Sequence, residues 1–129
     1  MNFPKELRYT KTHEWAKLTG KTVRVGITDY AQKEISDVVF VEVPKPGVEV
    51  QAGKPAAVVE SVKAAFDIYA PVSGKIGKVN LELENDPAIV NADCYDKGWF
   101  FELEMSDASQ WNNLMDANAY ENHIKQTAK

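Results

Sequence analysis

Few side chains in this chain of 129 residues have the type and spacing to do chemistry of their own. Cys94 is the only cysteine, so neither an intramolecular disulfide nor a CxxC redox pair can form. The two histidines, His13 and His123, lie near opposite ends of the chain in different elements, and offer no metal-ligand spacing. A Cys–His nucleophile pair would need the fold to bring distant residues together, and His13 in the segment THEW reads first as a surface or packed side chain. No GxGxxG, Walker or GxSxG pattern occurs. If the protein handles electrons, a cofactor must supply that chemistry.

Lys63 stands apart. It sits in ESVKAAFDIYAPVSG, Glu60 to Gly74, between small and apolar neighbours. Three readings compete. A solvated lysine is the commonest fate of this residue type. A Schiff-base amine must be desolvated or crowded by another cation, yet the nearest basic residues in sequence are Lys54 and Lys75. The acids Glu60 and Asp67 favour the charged form instead. A covalent handle needs a stable platform with small residues beside the amine, and Val62 and Ala64 fit that need.

The elements that must position Lys63 are partly legible. TVRVGIT, Thr22 to Thr28, puts Val23, Val25 and Ile27 on one face of a strand. DYAQKEI follows, with Asp29 and Gln32 spaced as a capping box opening a short helix. VVFVEV, Val38 to Val43, is a β-branched strand ending at the turn PKPG. KPAAVVESVKAAF reads equally well as helix, with Val58, Val62, Ala65 and Phe66 on one face, or as two strands around Lys63. No Asn-Gly or Gly-Gly marks a hairpin there. SGKIGKV predicts a turn into a strand, and WFFELEM, Trp99 to Met105, another. Residues 107–126 predict a C-terminal helix: Asp107 and Gln110 form a second capping pair, Trp111, Leu114 and Met115 share a face, and Tyr120 and Ile124 pack beside them. The end, KQTAK, is expected to fray. A faint echo between VEVQAGKPAAVVE and AIVNADCYDKGWFFELE, each read as strand–turn–strand, suggests two β halves in a small sandwich or barrel.

Composition bounds the function. The length suits a single domain, 1–129, with its own core. Fifteen Lys and Arg against nineteen Asp and Glu give a net charge of −4, which argues against nucleic-acid binding and favours partners with basic docking surfaces. No apolar run matches a membrane span, and MNFPKELRYT lacks the apolar core of a secretory signal. A cytoplasmic location without membrane contact is expected; a processed form in the mitochondrial matrix would read the same.

ESVKA, together with THEW (Thr12–Trp15), VGITDYAQ (Val25–Gln32), VVFVEVPKPG (Val38–Gly47), APVSGKI, Val90–Asn91 and GWFFELE, resembles the glycine cleavage system H-protein family. The likeness runs from about Leu7 to Tyr120, in the family's order and near its spacing. Biotin carriers usually flank the lysine with methionines, and lipoyl domains of 2-oxo-acid dehydrogenases typically have Asp before it. Val62 and the THEW segment point to the H proteins instead.

The resemblance implies a mostly β fold, a flattened sandwich of the biotinyl/lipoyl type with short helices, a C-terminal helix and Lys63 at a hairpin tip. It implies lipoate bound covalently to Lys63, with Glu60, Ser61, Val62 and Ala64 as the modification motif. The implied role is a carrier, not an enzyme. The arm takes an aminomethyl group from the pyridoxal-phosphate glycine decarboxylase (P-protein) to the folate-dependent aminomethyltransferase (T-protein). Dihydrolipoamide dehydrogenase (L-protein) reoxidises it, and lipoate-attaching enzymes install it. Glu14 and Asp67 match the family's cleft acids and are expected to contact the loaded arm. Three positions depart from the pattern: Glu34 where relatives carry histidine, Phe66 where a small hydroxyl residue is common, and Cys94, read as structural, in place of proline. The rivals are an H-like carrier serving another lipoate pathway, an unmodified interaction module and, more distantly, a Schiff-base enzyme.

Overall fold

The computed structural model describes residues 1–127. Its nine strands fall into two antiparallel sheets. The larger sheet begins as a meander of β1 (Arg8–Tyr9), β2 (Glu14–Thr19) and β3 (Thr22–Ile27). Helix α1 (Asp29–Ile35) then leads to β4 (Val38–Glu42), the edge of the smaller sheet. After β5 (Glu49–Val50), strands β6 (Pro55–Ser61) and β7 (Ala65–Tyr69) form the hairpin that carries Lys63. β8 (Gly74–Val79), the short helices α2 (Glu82–Asn85) and α3 (Ile89–Ala92), and β9 (Phe101–Met105) return the chain to the larger sheet. Its order is β1-β2-β3-β9-β8-β5, against β4-β6-β7 in the other.

The inner faces of both sheets share one core. Val23 and Val25 of β3, Ile76 of β8 and Leu103 of β9 meet Val41, Val59 and Ile68 from the smaller sheet. The period-two reading of β3 therefore holds: Val23, Val25 and Ile27 are all buried. In the ambiguous stretch the strand reading holds and the helix fails. Its inward residues are Ala57 and Val59, while Val62 on the opposite parity is exposed.

A second apolar cluster lies on the outer side of β1 and β2, where α4 (Ala117–Thr127) packs with Tyr120 and Ile124 against Leu7, Tyr9 and Trp15. Strand β2 is consequently buried on both faces at Glu14, Trp15 and Ala16. Trp15 lies opposite Gly26, and a Cβ on that glycine would sit 2.6 Å from the indole. Only glycine lets the ring lie flat on β3. The indole N–H donates to the Cys94 carbonyl at 2.8 Å.

Several expectations need correction. The cap of α1 is Thr28, whose hydroxyl accepts the Ala31 amide at 3.1 Å; Asp29 is already helical and accepts from the Gln32 side chain. The helix expected over 107–126 is two helices, a 3-10 turn (Ala108–Asn113) and α4. The break is forced by Met115, whose backbone exchanges two hydrogen bonds with Tyr9 of β1, so Leu114 must be extended. Trp111 and Leu114 accordingly pack on the sandwich core and Met115 on the outer cluster, so they share no face. Asp107 caps its turn through Ser109, while the Gln110 side chain accepts from the Ser73 amide instead of closing a box. Residues 125–127 of KQTAK continue α4, and the rest of that expectation, at 128–129, lies outside the described residues. Finally, the supposed strand in AIVNA is α3, so the internal echo fails in its second half. Among the described residues no helix is long and apolar enough to cross a membrane.

Candidate functional site

β6 and β7 pair from Pro55↔Tyr69 to Glu60↔Ala65, leaving Ser61, Val62, Lys63 and Ala64 to turn the chain. The Ser61 amide donates to the Ala64 carbonyl at 2.9 Å, and the Ser61 hydroxyl accepts from the Lys63 amide at 3.1 Å. A serine side chain thus does what glycine or asparagine does in most tight hairpins. Neither Val62 nor Lys63 has a positive φ. The Val62 amide donates to the Asp37 carbonyl at 3.0 Å, which fastens the tip to the start of β4.

Asn91 of α3 holds that anchor. Its side-chain oxygen accepts from Val38 N–H at 2.9 Å, and its nitrogen donates to the Ser36 carbonyl at 2.9 Å and to Gln32 Oε1 at 3.1 Å. One amide fixes both residues that flank Asp37. The only hint of this in the sequence was its place beside Val90 in a matching segment.

Val62, Lys63 and Ala64 are all exposed, as is Glu60 at the end of β6. The Lys63 ammonium reaches back to donate to the backbone carbonyl of Glu34 at 3.1 Å. It joins neither of the ion pairs found among the described residues, Arg24–Glu102 and Glu121–Lys125. An exposed amine open to water lacks the burial that would activate a Schiff-base lysine.

Beside the tip lies a cleft of about 440 Å³ between α1 and β7. Tyr30, Ala31 and Glu34 form one wall, Phe66, Asp67 and Tyr69 the other, and Thr12 and His13 close the end. Mixed apolar walls with a few polar groups suit a small organic moiety. Glu34, a departure from the family pattern, is therefore a cleft residue whose carbonyl also receives Lys63. Phe66 makes the opposite wall aromatic.

The two expected cleft acids differ. Asp67 is exposed and lines the cleft. Glu14 does not: it is 1% exposed and lies behind the wall. Its Oε1 accepts from the Thr10 and Thr12 hydroxyls, both at 2.5 Å, and its Oε2 from the Tyr69 amide at 3.2 Å. Burial raises the Glu14 carboxyl above the ordinary range, against the lowering effect of those hydrogen bonds. It touches the cleft through Thr12 and Tyr69, which do line it.

The fold also joins residues that the sequence keeps far apart. The His13 and His123 rings come within 6.2 Å, with the Tyr120 hydroxyl 2.8 Å from His13 Nδ1. No group of three His, Cys, Asp or Glu able to hold a metal occurs among the described residues. Burial pushes the Cys94 thiol up to about 12, so it is no nucleophile near neutrality. Its structural reading stands.

Comparison with known proteins converges on one description. The family model "Glycine cleavage H-protein" matches residues 7–127. The glycine cleavage system H protein of Thermus thermophilus is 52% identical over 128 residues, 99% of this chain and 100% of its own. That of Bacillus licheniformis is 51% identical over 126 residues, 98% and 99% of the two chains. The crystal structure of a glycine cleavage system H protein from Mycobacterium marinum superposes with a TM-score of 0.85 at 33% identity, covering 98% of this chain and 100% of the other.

Proposed function

The chain belongs to the glycine cleavage H-protein family, and on that premise we propose that Lys63 is the residue through which it carries lipoate. As a member it is a lipoyl-bearing shuttle of the glycine cleavage system. The observation that carries the assignment to Lys63 is the exposed amine at the apex of the β6–β7 turn, which joins no ion pair among the described residues. The residues fit the group: a modifying enzyme can reach the nitrogen, small exposed neighbours flank it, and a cleft of suitable size adjoins it.

Amide-linked lipoate supplies a dithiolane that takes up the aminomethyl group released with glycine decarboxylation and is reoxidised after the group has left. The chain's own residues hold and shelter. Acylation would remove the Lys63 charge yet leave one N–H on the same nitrogen, so the Glu34 carbonyl keeps a donor. That contact lays the start of the arm along α1, towards a cleft where Asp67 offers a carboxylate to an amine-bearing cargo. Ser61 and Asp37 fix the base of the arm, so its reach is set by the arm alone. Tethering keeps the reactive end at high effective concentration near a docked active site. In this reading the protein is a substrate, not an enzyme, in the cytoplasm. Its partners are the decarboxylase, the aminomethyltransferase, dihydrolipoamide dehydrogenase and the lipoate-attaching enzymes.

Expression with a lipoate ligase or octanoyltransferase tests this reading. Intact mass is expected to show one lipoyl-type addition, and peptide mapping to locate it on Lys63. An unmodified chain, or a modification elsewhere, would sink the assignment.

A further inference from the structure

The C-terminal helix reaches the cleft through one hydroxyl. Tyr120 of α4, fully buried, places its OH 2.8 Å from His13 Nδ1 and 2.8 Å from Thr28 Oγ1. Thr28 Oγ1 already accepts the Ala31 amide as the cap of α1. Thr28 is 0% exposed, and among the described residues its hydroxyl hydrogen has no acceptor other than the Tyr120 oxygen. A buried hydroxyl donates where it can, so the direction of the chain follows. Ala31 N–H donates to Thr28, Thr28 O–H to Tyr120, and Tyr120 O–H to His13 Nδ1. An Nδ1 that accepts belongs to a neutral imidazole with its proton on Nε2. Protonating Nδ1 would reverse the Tyr120 hydroxyl and strand the Thr28 hydrogen.

The backbone is committed to this placement. His13 has φ 75°, a costly region for a residue with a Cβ. Its amide is held by the Thr10 carbonyl at 3.2 Å, and its carbonyl by the Thr28 amide at 3.1 Å. The ring so fixed lines the cleft beside Lys63. We propose that Tyr120 and Thr28 are positioning residues that hold His13 in its neutral Nε2–H form, so that the imidazole adds no cation to the cleft that would take an amine-bearing cargo. The proposal rests on the assignment of Lys63 and its cleft to the lipoyl arm.

The charges around the ring are mixed, and burial outweighs them. His123 of α4 approaches from behind, while Tyr30 and Glu34 of α1 and Asp67 of β7 share the cleft. In the same loop Lys11 also lines the cleft, and the Glu14 carboxylate is taken by Thr10, Thr12 and Tyr69. Burial first, then His123, lowers the imidazole below its ordinary range, and Glu34 opposes them. A lowered folded value means that the neutral ring's contribution to stability is present above pH about 6.5 and is lost as pH falls through the folded value.

The experiment has two arms. Ring-nitrogen NMR on the unlipoylated protein is expected to show His13 as the Nε2–H tautomer, titrating below the ordinary imidazole range. Tyr120→Phe keeps the ring stacked on Tyr9, removes the hydroxyl, and should raise the His13 midpoint by about 0.5–1 pH unit; Thr28→Ser should leave it in place. An Nδ1–H tautomer, or a midpoint unmoved by Tyr120→Phe, overturns the hydrogen-bond chain. In the second arm, retention of the amine-bearing cargo by the lipoylated protein is followed between about pH 5 and 8. Wild type should lose retention by roughly threefold or more on passing below the His13 midpoint. In Tyr120→Phe that step should move up with the midpoint, and in His13→Gln, which cannot titrate, it should vanish. A step that ignores the midpoint, or survives in His13→Gln, overturns the role. If Lys63 is not lipoylated, the carrier assignment and the proposed role fall together at the loading step, while the NMR arm still decides the tautomer.

Discussion

At the hairpin tip, Val62, Lys63 and Ala64 stand in solvent and one hydroxyl, that of Ser61, ties the turn. Across the cleft, Glu14, Thr28 and Tyr120 are buried to 1%, 0% and 0% exposure, and each makes two or more hydrogen bonds. The tip keeps an amine available to other proteins and leaves the core undisturbed. The buried side binds β2, α1, β7 and α4 together through polar groups that cannot fall back on water. A substitution at the tip should therefore change function with little change in stability, and one behind the cleft should do the reverse.

The strongest way to break this contrast is Lys63→Arg. Arginine keeps the positive charge and can still donate towards the Glu34 carbonyl, but offers no amine for acylation. Stability is expected to stay within about 0.5 kcal/mol of wild type, while glycine-dependent carbon dioxide exchange in a reconstituted system falls to background. Retained exchange would remove Lys63 from the mechanism, and a large fall in melting temperature would show that the tip is structural after all.

Glu14→Ala probes the other side. It leaves the Tyr69 amide without its acceptor and frees two threonine hydroxyls, so a loss of about 1–3 kcal/mol is expected in denaturant unfolding. Lipoylation of Lys63 should be untouched. The pH dependence carries a sign: the carboxyl is raised in the folded state, so its linked stability is greatest below about pH 4.3 and is lost as pH rises through the folded value. The variant should lose that slope. If stability is unchanged and only cargo retention suffers, Glu14 is a direct contact and not a support for Thr12 and Tyr69.

Ser61→Ala should give a smaller, mixed effect, because this residue joins the two regions. Its hydroxyl holds the Lys63 amide while its backbone ends β6. A cost of about 1 kcal/mol or less is expected, with slower attachment of lipoate followed by mass. Ser61→Thr keeps the hydroxyl and should restore the rate. Equal rates for alanine and threonine would mean that the turn is set by the Ser61–Ala64 and Val62–Asp37 backbone bonds alone.

What the sequence disclosed follows the same division. Period-two burial marked β3, and β-branching marked β4, because each has one clear inner face or a dense apolar run. β2 hid its pattern because both of its faces are covered: α4 lies over Trp15 on the outer side, while Glu14 and Ala16 face the sandwich, where Glu14 accepts from the Tyr69 amide. The hairpin could not be read from turn residues, since a serine side chain closes it without any positive φ. Thr28 and Asp29 are both good cap residues, and spacing alone preferred the wrong one. The break at Met115 depends on pairing with Tyr9, a contact across the whole chain that no local window contains. For the site, the motif around Lys63 was readable as a family likeness, while the Asn91 anchor and the Thr28–Tyr120–His13 chain exist only once the elements meet.

Asp67→Asn should give the smallest effect and the sharpest division between the two acids. Asp67 is exposed, lines the cleft and accepts none of the hydrogen bonds that bind Glu14, so asparagine there preserves shape and removes only charge. Stability should move by no more than about 0.5 kcal/mol, and lipoylation should proceed as in wild type. An exposed carboxylate facing a primary ammonium is screened by water and salt, so cargo lifetime should shorten by only about two- to fivefold at low ionic strength. The difference should shrink as salt is added, because the attraction is between charges open to solvent. A lifetime that shortens equally at low and high salt would mean that Asp67 acts by shape or hydrogen bonding, and that the open side of the cleft is as closely built as the buried one.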